Sequence, residues 1–152
     1  FKAGNTYWMI INLELWPRKE VVAWARSLVA KYSNHNVIIA THSFLSSNGS
    51  ISSSASYGST SPKYLWDTII KKYKNVKIVL SGHTGSARTK VLSGSGGNKV
   101  YAYLTTYHSK TTNPVRLIEV DAGKKTITSW VEAPYTKTRL LKPSKYSKVK
   151  LV

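Results

Sequence analysis

Two segments of the chain combine an apolar helical pattern with a strand pattern that follows it directly. The run of β-branched and aliphatic residues at 36–40 leads through one residue to His42, and the run at 77–81 leads through one residue to His83. Each run follows residues whose apolar side chains recur at helical spacing. An apolar strand after a helix is typical of a parallel sheet covered on both faces. Residues 6–15, rich in Tyr, Trp and Ile, predict a further strand before the first helix.

Proline and apolar spacing define the two helices. Pro17 is predicted to open the first helix, and Pro62 the second, because proline is tolerated in the first turn. A long polar loop at 46–61 separates them, and a loop of that length beside a proposed site is either functional or disordered. The predicted inward residues of the first helix are Val21, Trp24, Ala25, Leu28 and Tyr32, and those of the second are Leu65, Trp66, Ile69, Ile70 and Tyr73.

The hydrophobic period changes after Gly85. Residues 99–107 alternate as a half-exposed strand, and the runs at 115–120 and 125–131 are joined by the turn at 121–124. Three successive strands predict an antiparallel meander. The expected fold class is therefore α/β (α+β), with β-α-β-α-β followed by an antiparallel β meander.

Charge adds a second feature. The 152 residues carry 23 Lys and Arg against six Asp and Glu, a net charge of +17. Residues 136–152 hold six cations and no acid, which predicts a basic C-terminal tail after a domain spanning 1–135. Such a charge favours a non-specific polyanion partner, although solubility alone also explains it. The absence of cysteine excludes disulfide and thiolate chemistry. We expect no membrane span, because no apolar run is long enough.

The two histidines give the candidate site. If the strands before His42 and His83 are neighbours in a parallel sheet, both imidazoles lie at one carboxyl edge, where α/β folds bind ligands. Two converging imidazoles favour a metal site, and a hydrogen-bonding role at the end of each strand is the alternative. His35, in a turn, and His108, at a strand end, are assigned structural or solvent roles. Trp16, Trp24 and Trp66 are predicted to pack in the core.

Several motifs occur together in a familiar order. The segment Leu-Glu-Leu-Trp-Pro-Arg at 13–18, Thr-His at 41–42, Leu-Trp at 65–66, Leu-Ser-Gly-His at 80–83 and Gly-Asn-Lys-Val at 97–100 resemble the C-terminal half of calcineurin-like metallophosphoesterases. The resemblance extends to about residue 135. It implies half of a four-layer α-β-β-α fold that carries two divalent metal ions, of Mn, Fe, Zn or Ni. It also implies that His42 and His83 bind the same ion.

The chain departs from the family pattern in its metal ligands. Nothing in residues 1–40 supplies Asp-x-His, Gly-Asp or Gly-Asn-His, and Gly85 stands where the family's Gly-His-x-His has its second histidine. We therefore expect part of a metal-dependent phosphoesterase acting on a phosphoester substrate, with the site completed by upstream sequence or a separate chain. The alternative is a catalytically degenerate module that binds polyanions. Arg88 and Lys90 are candidate phosphate-binding residues, with a solvated loop as the alternative. Glu14 could support a ligand or pair with a nearby cation.

Overall fold

The computed structural model describes residues 1–57, 59–85, 87–107 and 112–152, and only the backbone of residues 141 and 142. The assignment made for His108 lies outside the described residues. The strands are β1 (Lys2–Ala3), β2 (Thr6–Leu13), β3 (His35–Thr41), β4 (Val76–Ser81), β5 (Ala87–Ser93), β6 (Lys99–Thr105), β7 (Val115–Asp121), β8 (Thr126–Ala133) and β9 (Thr138–Tyr146). The helices are α1 (Lys19–Lys31) and α2 (Pro62–Leu65), which continues as a π-helical turn (Trp66–Ile70).

The larger sheet has six strands in the order β1-β2-β3-β4-β6-β5. Strands β2, β3, β4 and β6 are parallel, and the two outer strands, β1 and β5, run antiparallel to their neighbours. Helical connections join β2 to β3 and β3 to β4, as parallel neighbours require. The predicted β-α-β-α-β portion is therefore confirmed. Its register aligns the carboxyl ends of the strands, with Leu13 opposite Thr41 and Ala40 opposite Leu80.

The segment after Gly85 differs from the prediction. Strand β5 was not predicted, because the exposed charges of Arg88 and Lys90 fit a solvated loop equally well. Strand β6 is not half exposed: Val100 to Leu104 are all buried, since β6 lies between β4 and β5 with both faces covered. The meander exists, but it consists of β7, β8 and β9 rather than beginning at β6. The predicted 115–120 and 125–131 hairpin is confirmed as β7 and β8.

The elements form three layers. On one face of the larger sheet, the two helices bury an apolar core that includes Val22, Val29, Leu65 and Ile69. On the other face, the three-stranded sheet packs through Ile127 and several neighbours against Ile78, Tyr101 and Tyr103. This arrangement makes the chain an α+β protein, as expected.

Helix α1 is rotated relative to the face predicted from its sequence. Its buried residues are Val22, Ala25 and Val29. Trp24 is 52% exposed, so the prediction that it packs in the core is wrong. Small and β-branched side chains fit closely against the sheet, and this leaves the indole on the solvent side. Trp66 is buried, as predicted, and Trp16 is half-buried.

The segment predicted as a basic tail is part of the fold. Residues Thr138–Tyr146 form β9, which pairs with β8 along most of its length. Val149 is buried, and the Asn36 side chain bonds both the backbone N–H (2.9 Å) and C=O (3.2 Å) of Val152. The run of cations predicted a solvated tail, but cations on one face of a strand leave its other face free to pack, and the segment can therefore be part of the fold. Among the described residues, no helix is both long and apolar enough to cross a membrane.

Candidate functional site

The ends of β3 and β4 bring the two predicted histidines together. The ring centres of His42 and His83 are 5.0 Å apart, with the planes inclined by 70°. The backbone N–H of Gly82 donates to the carbonyl of His42 at 2.9 Å, which ties the two strand ends together. The prediction that these residues meet at the carboxyl edge of adjacent parallel strands is confirmed. It follows from the register, because Ala40 and Leu80 are direct partners two and three residues upstream.

The backbone around this pair is strained. His83 has a φ of 73° and Trp16 a φ of 47°. These values lie in the left-handed region, which residues other than glycine rarely adopt. The ring of Trp16 lies 5.6 Å from that of His83 and 5.6 Å from that of Tyr57. Tyr57 comes from the long polar loop, which Thr60 attaches to the carbonyl of Pro17 through its backbone N–H and its hydroxyl. The four rings form one cluster above the sheet edge.

The two imidazoles fit a single metal ion in part. Two imidazoles bound to one tetrahedral ion at about 2.0–2.1 Å have ring centres roughly 5 Å apart, which agrees with the separation seen here. Neither ring donates to or accepts from another described residue, so a nitrogen of each is free to bind. Within the described part of the chain, however, no group of three or more His, Asp or Glu side chains could hold an ion. These residues therefore provide two ligands of a site that needs more.

An open cleft of about 490 Å³ lies next to this pair, where the edge of the larger sheet meets β7. The ends of four parallel strands form its floor, and β7 forms one wall. None of its lining residues is acidic; they are Asn12, Leu13, Ala40, Thr41, His42, Leu80, Ser81, Gly82, Thr105, Arg116 and Ile118.

Arg116 is the one cation in the cleft lining, and the sequence did not single it out. Its guanidinium donates to three hydroxyls: Nε to Thr105 (3.2 Å), Nη1 to Ser129 (2.9 Å) and Nη2 to Tyr107 (3.0 Å). It also lies over the ring of Tyr103, with Cζ 5.3 Å from the ring centre. One arginine among 23 cations in a basic chain has no distinguishing pattern. The one available signal was the alternation along β7, which turns every second side chain, that of Arg116 included, toward the larger sheet.

Burial also acts on the tyrosines around Arg116. It raises the pKa of Tyr107 above its ordinary value, although the neighbouring guanidinium lowers it in part. Burial likewise raises the pKa of Tyr103 well above its ordinary value. Both phenols therefore stay neutral near pH 7, and neither contributes a negative charge to balance the guanidinium.

Glu14 pairs with a cation rather than with the histidines. Its carboxylate accepts hydrogen bonds from the backbone N–H of Arg18 (3.1 Å) and from the Arg18 Nε (2.9 Å). The backbone hydrogen bond, followed by the side-chain one, lowers the pKa of Glu14. The carboxylate thus closes the turn that leads into α1. Of the two roles expected for Glu14, the structure shows pairing with a nearby cation and not the support of a metal ligand.

Arg88 and Lys90 lie away from the cleft. They are exposed residues of β5, not of a loop, and they alternate with Val91, which packs toward the three-stranded sheet. They therefore occupy the helix side of the sheet, whereas Arg116 reaches the cleft from the other side. The Nε of Arg88 donates to the carbonyl of Ser47 at 2.8 Å, so it holds the polar loop. The structure does not bring these two residues together with the histidines.

His35 has the structural role expected of it. Its ring packs between those of Tyr7 and Tyr32, with centres 5.2 Å from each, and its Nδ1 lies 2.8 Å from the Asn34 Oδ1. It stands at the opposite end of β3 from His42, so it cannot join the candidate site.

Comparisons with known proteins leave the family open: no protein-family model and no curated protein matches the chain.

Proposed function

We propose that this chain forms part of a metal-dependent phosphoesterase, in which metal-activated water hydrolyses a phosphoester. The observation that carries the proposal is the convergence of His42 and His83 at a sheet edge beside a cleft that contains Arg116. Neutral imidazoles are good ligands for Mn, Fe, Zn or Ni, and the guanidinium gives the cleft the positive charge that a phosphoester needs.

The layer order supports the same proposal. A helical layer, a mixed six-stranded sheet and a second sheet correspond to three layers of the α-β-β-α fold that the motif order resembles. The described residues offer two ligands, and a binuclear centre needs a bridging carboxylate and several more. Upstream sequence or a separate chain would contribute these groups. When bound, the metal ions would acidify a water molecule and bind the phosphoryl oxygens.

Metal binding by the isolated chain is the direct test. Titration with Zn²⁺ or Ni²⁺, followed by calorimetry and by the imidazole NMR resonances, should show one site. His42→Ala and His83→Ala should each weaken binding at least tenfold, and the double variant should add little, because one remaining ligand cannot hold the ion. His35→Ala is the matched control and should bind as the unmodified chain does. Equal loss in all three variants, or unchanged binding in both His42→Ala and His83→Ala, would contradict the proposal.

Catalysis gives a second test. The isolated chain with Mn²⁺ should hydrolyse an aryl phosphodiester little or not at all, because the described residues bring no group of three or more possible ligands together and so offer neither a bridging carboxylate nor a site for a second ion. Activity should appear only when the complementary half is added or fused. Metal-dependent turnover by the chain alone, abolished by His42→Ala, would show that these residues make a complete site.

The alternative function is a degenerate phosphoesterase-fold module that binds polyanions. The observation that favours it is the charge balance: Glu14, Glu20, Asp67 and Asp121 all lie in ion pairs with nearby cations, which leaves a large excess of positive charge. Binding to heparin or DNA should then be independent of sequence and weaken steeply with salt. Replacing Lys145, Lys148 and Lys150 by Gln tests this without removing β9. Elution from heparin at unchanged salt would exclude this segment as the binding surface.

A further inference from the structure

Arg116 is a partly buried cation whose charge no described residue neutralises. Its three hydrogen-bond partners are hydroxyls, and it forms no ion pair with a carboxylate among the described residues. The other cleft-lining residues include no acid. A guanidinium stays protonated at any physiological pH, so this positive charge is permanent. Taking such a charge partly out of water is unfavourable unless an anion compensates for it.

The guanidinium is also held in a fixed position. Thr105, Ser129 and Tyr107 accept from three different nitrogens, and the Tyr103 ring supports one face of the group. A guanidinium has five N–H donors, so two remain after these three bonds. A side chain already ordered by its neighbours loses little further freedom when it binds a ligand. Arg116 therefore lines the cleft with two N–H donors that no described residue uses.

We infer that Arg116 is an anion-binding residue, and that the cleft takes a ligand with a phosphoryl oxyanion. The planar fork of a guanidinium matches the paired oxygens of such a group. The binding of phosphate to this site requires no metal. Only the identification of that oxyanion as part of a substrate rests on the proposed function.

The strand order relates this residue to the histidine pair. Thr105, which anchors the Arg116 Nε, ends β6, and His42 follows β3; β4 lies between these strands. Two strand spacings separate their backbones by roughly 10 Å. Arg116 and His42 both line this cleft. A phosphoester that occupies the cleft can contact the guanidinium while its other end lies at His42, whose ring is next to that of His83.

A phosphate titration tests the inference on the intact chain. The isotope-labelled protein, freed of metal by EDTA, is titrated with inorganic phosphate at low ionic strength. The Arg116 Nε–H resonance and the amides of Thr105 and Ser129 should shift together and saturate. Phenyl phosphate is titrated in parallel. Tighter binding of the ester assigns the site to an ester ligand, and tighter binding of inorganic phosphate assigns it to the free ion.

Two variants give the control. Arg116→Met should weaken phosphate binding at least tenfold. Arg139→Met should change it less than twofold, because Arg139 is an exposed arginine that lies over Trp130 in a comparable cation–π contact. If Arg116→Met unfolds, the resonance shifts of the unmodified chain decide the matter. Shifts confined to the lysines of β9, or binding unchanged in a folded Arg116→Met, would overturn the inference. Because no metal is present, failure here leaves the histidine proposal standing, and failure of metal binding leaves this one standing.

Discussion

The buried lysine of β4 gives a prediction in which both sign and size can be worked out. Lys77 is 4% exposed, and its Nζ donates to the carbonyl of Lys74 at 2.7 Å. It makes no ion pair with a described carboxylate. Burial, with a smaller contribution from the charge of Lys74, lowers the pKa of Lys77 from 10.5 to about 8. The carbonyl of Lys74 is thus the one polar partner of this buried ammonium among the described residues.

The shift in pKa sets the free-energy cost. At about 1.36 kcal/mol for each pKa unit, the lowered pKa corresponds to a cost of about 1–3 kcal/mol for the charged form. Below pH 8 the lysine is charged in both folded and unfolded chains, so the folded state bears the full cost. Between pH 8 and 10.5 the unfolded chain binds more protons, and stability therefore rises with pH. Above 10.5 the cost is gone.

Urea unfolding between pH 7 and pH 10 measures this effect. Lys77→Met should be more stable than the unmodified chain by about 1–3 kcal/mol at pH 7, and the difference should shrink as the pH rises. Lys145→Met, at an exposed position of β9, is the control and should show neither effect. Burial raises the pKa of Tyr101 and Tyr103, so their ionisation opposes folding above about pH 10. That contribution is common to all three proteins and cancels. A pH-independent difference would refute the reasoning.

Two further predictions concern packing. Gly94→Ala should destabilise the chain by about 1–3 kcal/mol in urea unfolding, because its Cβ would lie 2.1 Å from the Asn98 Oδ1 and 2.6 Å from the Lys71 carbonyl. Gly85→Ala, where a Cβ meets nothing within 4 Å, should change stability by less than about 0.5 kcal/mol; equal effects would contradict the contacts. Deletion of residues 136–152 should abolish cooperative unfolding followed by circular dichroism, because it removes β9 and the contacts of Val149 and Val152. If the truncated chain keeps the unfolding midpoint of the full chain, residues 136–152 are a tail after all.

The parallel core was predictable because its sequence pattern is local. An apolar run such as 36–40 between helical stretches has few alternatives, and the register of β3 and β4 then places His42 beside His83. Strands β5 and β9 were not predictable in this way. Their polar and charged residues fit a strand only because another strand pairs with them.

The remainder of the site depends on contacts distant in sequence. Arg116 acquires its role from Thr105 and Ser129, which belong to strands of two different sheets. No spacing of residues in the sequence predicts that Arg116 contacts both of these hydroxyls. Conversely, Arg88 and Lys90 follow His83 closely in sequence, yet strand alternation places them on the other face. Closeness in sequence therefore did not indicate closeness in space, because the chain turns after His83 and alternate side chains of β5 point to opposite faces of the sheet.

The left-handed backbone at Trp16 and His83 has an evolutionary consequence. Glycine would relieve the strain at either position, so a lineage free to drift should replace these two residues early and gain stability by doing so. Retention of an imidazole at position 83 and of a large ring at position 16 among diverged descendants would therefore mark selection for what the rings do. Their replacement by glycine, with the fold intact, would mark a lineage that has abandoned the site.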